Sequence, residues 1–249
     1  MVGSLLMRGM LVGIVAGLLA FGFLKIYGEP QVDIAVAFET QAEALKGTTT
    51  AATPSHEEQH ELVSRQVQAG LGLFTAVMVY AVAFGGLFGL AFAFAYRRIP
   101  GAVTPQSVSL LLAVAGFVAV YLVPNLKYPA SPPAVGEPET IGIRTALYFA
   151  MMAISVAAMI GGISLKRLLT GRFGDWNSTL AVVAYYVAIV SIAGLLLPAV
   201  NEVPVQFPAV VLWKFRVASI GAQFIMWVTL GLLFGAWTQH AAVKDARHA

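Results

Sequence analysis

Residues Ala69–Tyr96 read AGLGLFTAVMVYAVAFGGLFGLAFAFAY, a run of twenty-eight positions without a charged side chain. A bilayer core is crossed by about 20 consecutive apolar residues in a helix. The run shows no period-two alternation, so it reads as a membrane-spanning helix rather than a barrel strand. Five further segments qualify on the same grounds: Leu5–Ile26, Ser107–Val123, Thr145–Leu165, Leu180–Leu197 and Val210–Trp237. The expected fold is an all-α integral membrane protein, a six-helix transmembrane bundle forming one domain over residues 1–249. A cleaved signal peptide is the competing reading of the first segment. Retention is favoured because Gly9, Gly13 and Gly17 recur every four residues, the spacing that lets a second helix approach closely.

Composition agrees with the spans. The chain is 59% hydrophobic and 11% charged, with a mean hydropathy of +0.81. A soluble domain carries about a quarter charged residues, so this chain could not wet its surface as a globule. Its +3 balance is spread along the chain rather than gathered on one face, which excludes a nucleic-acid partner. With no cysteine, disulfides, thiolate metal sites and cysteine nucleophiles are excluded.

The bases give an orientation. Arg8, Arg97, Arg98, Lys166, Arg167, Arg172, Lys244 and Arg247 flank the spans on one side, which the positive-inside rule makes cytoplasmic, with both termini there. Ten of the twelve acids fall on the other side. Tyr27–Val67, read as an acidic outer loop with a polar linker at Lys46–Pro54, holds seven acids against Lys46 and Arg65. An acidic mouth of that kind concentrates cations; a merely soluble loop is the plainer reading.

A loose repeat runs through the outer segments. Gly28-Glu29-Pro30, Gly136-Glu137-Pro138 and Glu202-Val203-Pro204 are each followed by an arginine at the mouth of the next helix: Arg65, Arg144 and Arg216. The chain thus reads as three related helical hairpins, and internal repeats are common in transporters. Gly85/Gly89 and Gly231/Gly235 add further small-residue pairs, so the first, second and sixth spans are expected to meet.

His56-Glu57-Glu58-Gln59-His60 matches H-E-x-x-H, whose histidines share a helix face and could hold one zinc with Glu57 as general base. No third ligand follows, the motif sits in a polar linker, and Ser55 with Glu58 makes a capping box. A metal-attracting or merely solvated helix start is therefore favoured over a peptidase, and no enzyme activity is expected. The proline-rich outer segment, residues 124–144, has five prolines between Pro124 and Ile141 that oppose regular helix. Irregular backbone at membrane depth survives only where protein or a watery cavity surrounds it. Asn125, Tyr128, Glu137 and Glu139 are accordingly candidate oxygen donors to a cation. Lys127, Arg65, Arg144 and Arg216 are expected to hold acids in place, with Lys127 and Arg144 pairing to Glu137 and Glu139 in the purely structural reading. No Asp, Glu or His lies near the centre of a span, which counts against a self-contained coupled transporter. The membrane methionines, among them Met7, Met78, Met151 and Met226, read as packing rather than as soft-metal ligands.

The run Pro124–Ile141 with Arg144-Thr145 and Tyr148 resembles the CbtA family of predicted cobalt transporter subunits. Gly28-Glu29-Pro30, a histidine-containing outer loop, Arg65 leading to Gly70, and Phe84-Gly85-Gly86-Leu87-Phe88-Gly89 fit the same resemblance. It implies a bacterial inner-membrane, multi-pass subunit for uptake of Co²⁺ as transported ligand, with no covalently bound cofactor. It also implies a small one-span, His-rich membrane partner (CbtB-like). His56, Glu57 and His60, with Glu137 and Glu139, are then the expected metal-gathering residues, although two histidines make a sparse loop. The alternative is a non-transporting assembly or scaffold subunit for a partner permease.

Overall fold

A computed structural model of the chain describes residues 2–49, 64–98, 103–133 and 135–248. His56, Glu57 and His60 lie outside these described residues. The helices are α1 (Val2–Phe23), α2 (Glu29–Thr49), α3 (Arg65–Val67), α4 (Leu73–Tyr96), α5 (Pro105–Gly116), α6 (Val123–Lys127), α7 (Ile141–Leu196), α8 (Ala209–Thr229) and α9 (Gly235–His248). No strand occurs among the described residues. Among the described residues, five helical runs are long and apolar enough to cross a membrane: Val2–Ala42, Arg65–Tyr96, Pro105–Lys127, Ile141–Leu196 and Ala209–Asp245.

The contacts divide the chain into two units. The first comprises Met1–Leu112, Ser131–Val135 and Pro204–Ala249. Its centre is the contact of α1 with α4, joined by α8. Lipid gives apolar helices no hydrophobic reason to associate, so backbone proximity must supply the attraction. The expected glycines provide it. A Cβ at Gly9 would strike the Gly85 carbonyl, and one at Gly13 the Ala81 carbonyl. At Gly17 it would crowd Met78 Sδ at 2.9 Å. Trp227 of α8 closes the group edge-on to Phe84, their centroids 4.9 Å apart. The first, second and last spans meet as the sequence predicts.

The second unit comprises Ala113–Ala130 and Gly136–Val203. Its core is Tyr128, Met151 and Ala193, with Leu147, Ile154 and Val190 packed round them. Within α7, Gly174 has φ 78° and ψ 168°, a backbone state that breaks the helix and that glycine alone enters cheaply. The segments on either side of it face each other: Ser155 Oγ lies 2.7 Å from Tyr186 Oη, and a Cβ at Gly162 would meet Val182 at 3.0 Å.

Two local expectations fail. Much of the Tyr27–Val67 segment, read as a loop, is helix, since α1 runs through a π-helical turn at Leu24–Gly28 into α2. Charge content marks solubility rather than irregularity, and Glu39–Lys46 is made largely of good helix formers. A packing face is present as well: Ala35 is fully buried, and Phe38 lies edge-on to Phe207 at 5.2 Å. Second, Pro124 does not end the preceding helix. It sits at the start of α6, directly after the π-helical turn Phe117–Leu122, where the widened turn takes up the missing N–H.

Candidate functional site

Charged side chains near the ends of the helical runs form two clusters, one in each unit. In the first, Arg65 begins α3. Its Nη2 lies 2.7 Å from Glu29 Oε2 and 2.9 Å from Asp33 Oδ1. Glu29 and Asp33 are four apart on α2, so one turn of helix aligns both carboxylates on a single guanidinium. Beside them Lys25 Nζ donates to the Ala69 carbonyl at 2.9 Å. Lys25 belongs to the π-helical turn Leu24–Gly28, and Ala69 to a second one, Gln68–Gly72. A π-helical turn disturbs the regular i to i−4 ladder, and a lysine occupies the carbonyl there.

In the second cluster, Glu202 is the hub. Its Oε2 accepts from the Glu137 backbone N–H at 2.8 Å and faces Arg144 Nε at 3.4 Å, a charge contact. Arg144 Nη2 donates to the Glu137 carbonyl at 3.3 Å. Gly136, at φ 112°, lies against the Arg144 guanidinium, where a Cβ would collide. The position thus requires glycine twice over, for its dihedral and for the space. The Thr140 hydroxyl, which also reaches the Glu137 carbonyl at 2.9 Å, is the largest influence holding the Glu202 carboxyl below its ordinary value of 4.5. The Glu137 N–H adds to this, partial burial opposes it, and the charge of Arg144 contributes last.

The remaining candidates have definite places. Asn125 is buried, at 5% exposure, and its Oδ1 accepts from the Ala130 N–H at 3.3 Å. Tyr128 Oη donates to the Pro198 carbonyl at 2.8 Å. Both side chains therefore shape the proline-rich segment. Lys127 lies over the Tyr128 ring, 5.8 Å from its centroid. Glu137 and Glu139 turn their side chains to the exterior, and the acid facing Arg144 is Glu202 rather than either of them. Arg216 is half-buried on α8. Among the described residues no three His, Asp or Glu side chains are grouped so as to hold a metal ion. Sequence reading passed over Glu202, Glu29 and Asp33 as partners. The signal for the first two was there, because each belongs to a copy of the glutamate–proline repeat.

A chain whose described residues are helical without a strand, with five long apolar helical runs carrying ion pairs near their ends, is a multi-pass membrane protein. More narrowly, it belongs to the CbtA family, described as probable cobalt transporter subunit, whose model matches residues 2–239. No curated protein and no solved structure matches it.

Proposed function

We propose that this chain is the membrane subunit that gathers Co²⁺, or a similar divalent cation, at the outer face of a bacterial inner membrane and passes it inward. The observation that carries the reading is the match to a cobalt transporter subunit family over nearly the whole chain. The break at Gly174 lets the two halves of α7 cross separately. That makes six crossings, in three hairpins, with both termini cytoplasmic.

In this reading α2 of the first unit and the proline-rich segment of the second each lie on the outer side of the membrane. His56, Glu57 and His60 attract the cation, and imidazole with carboxylate suits divalent transition metals. Glu137 and Glu139, exposed rather than paired to arginine, are the first oxygen donors on the way in. Arg65 and Arg144 neutralise the inner acids Glu29, Asp33 and Glu202 and hold the mouth in shape. Asn125 and Tyr128 fix the proline-rich backbone beside it, and Arg216 has the same supporting role. A small His-rich one-span partner, of the CbtB kind, would complete the system.

The engagement of Glu29 and Glu202 by arginines supports a second reading, an assembly subunit that carries no ion itself. Purified protein in liposomes, with and without the small partner, separates the two. Co²⁺ entry that requires this chain supports transport. Entry through the partner alone, unchanged when this chain is added, would leave only the assembly role.

A further inference from the structure

We propose that the turn joining the two halves of α7 is a docking surface for the phosphates of anionic lipids. Depth comes first. The apolar run of the first half ends at Leu165 and that of the second begins at Leu180. At 1.5 Å per residue, Lys166 to Arg172 cover about 10 Å beyond the hydrocarbon edge, which takes them through a headgroup layer about 5–8 Å thick on that side.

Charge comes second. The turn carries Lys166, Arg167 and Arg172 against the single acid Asp175, which lies 3.2 Å from Lys166. That ion pair leaves the turn with a surplus of positive charge. Arg172 stacks its guanidinium beside the Phe173 ring, 5.6 Å from the centroid. A guanidinium braced in this way presents a planar fork that matches two phosphate oxygens.

Third, the apolar side chains of the turn are outward. Leu168 is 76% exposed, Phe173 52% and Trp176 73%. A soluble surface hides such residues; at the headgroup boundary tryptophan is the preferred side chain. Arg172 and Phe173 lie side by side next to the bend at Gly174, and exposed Trp176 follows two residues after it, so bases and aromatics are interleaved along the turn. Charge and depth together select an anionic phospholipid as the occupant over an acidic protein. The inference does not depend on which ion the protein carries.

The test uses the full-length protein in phosphatidylcholine bilayers containing either brominated phosphatidylglycerol or, separately, brominated phosphatidylcholine. Bromine quenches tryptophan on contact, and Trp176→Phe isolates the share of residue 176 from that of Trp213, Trp227 and Trp237. Each base at the surface enriches anionic lipid about fivefold, so Trp176 is quenched at least about twofold more by the brominated phosphatidylglycerol. The double variant Arg167→Gln/Arg172→Gln abolishes that preference, Arg172→Lys keeps part of it, and Lys244→Gln leaves it whole. If the double variant does not reconstitute, raised salt must erase the preference of the unaltered protein. Equal quenching by the two lipids overturns the proposal. So does a preference that survives both the double variant and high salt, and so does the absence of Trp176 quenching by either lipid, which would mean that the turn stands clear of the lipid.

Discussion

Arg65 and Glu29 are 36 positions apart and meet at 2.7 Å, tying the start of the second apolar run to the end of the first. The same guanidinium reaches Asp33 one helical turn on, so α2 is fixed in rotation as well as in position. Glu29 is largely screened from solvent, and removing its partner leaves a poorly hydrated carboxylate. Arg65→Ala should lower stability by about 1–2 kcal/mol, read as the midpoint of thermal unfolding in detergent. Arg65→Lys should recover only part, because one ammonium cannot fork to two carboxylates. Adding Glu29→Gln to Arg65→Ala should restore some of the loss; a strictly additive double variant would show that the pair contributes nothing.

The contact of α1 with α4 is a backbone contact, so it admits no side chain at its centre. Gly85→Ala places a methyl group against the Gly9 carbonyl. Backbone cannot yield as a side-chain tip does, and the expected cost is about 1–3 kcal/mol. Gly22→Ala is the control: a Cβ there meets nothing within 4 Å, and alanine favours helix. Thermal unfolding of both variants should separate them, with Gly85→Ala clearly lower and Gly22→Ala unchanged or slightly higher.

Glu202 sets an acid limit on the second unit. Its carboxyl is held below the ordinary value chiefly by the Thr140 hydroxyl, then by the Glu137 N–H. A carboxyl with a depressed folded pKa stabilises the fold above its unfolded pKa, and that contribution disappears as pH falls through the folded value. Stability measured from neutral pH down past 4.5, the ordinary value, should therefore fall more steeply in the unaltered protein than in Glu202→Gln. The two curves should converge at the acid end. Parallel curves would contradict the assignment.

Six crossings make a topological prediction, and the absence of cysteine makes it simple to check. Single cysteines at Thr170 and Lys244 should react with a membrane-impermeant maleimide only from the cytoplasmic side. Cysteines at Glu39 and Glu139 should react only from outside. Labelling of positions 170 and 139 from the same face would mean that α7 does not cross twice.

Much of this fold was legible in the sequence because hydrophobic length and glycine spacing act locally. Gly9, Gly13 and Gly17 signalled close approach, and the structure sets the first two on the Gly85 and Ala81 carbonyls. The helical nature of α2 is hidden in the sequence because its acids signal solubility and say nothing of backbone order, while its packing residues, Ala35 and Phe38, are few. The π-helical turns left no mark, since one shifted hydrogen bond changes no residue type. The repeat puts a glutamate and a following arginine in each copy, and in the first copy the two, Glu29 and Arg65, meet. It did not reveal that Arg144 would turn to Glu202, the acid of the third copy, because the two are 58 positions apart and meet only where α7 folds back on itself.

The central claim is that residues of the outer mouth gather a divalent cation for uptake. The most direct measurement is Co²⁺ accumulation by cells carrying the whole system, comparing the unaltered chain with His56→Ala/His60→Ala and with Glu137→Gln/Glu139→Gln at equal membrane abundance. A gathering role predicts accumulation reduced severalfold at limiting external Co²⁺ and largely restored when the metal is abundant. Accumulation equal to that of the unaltered protein at limiting Co²⁺, in both variants, would contradict the account.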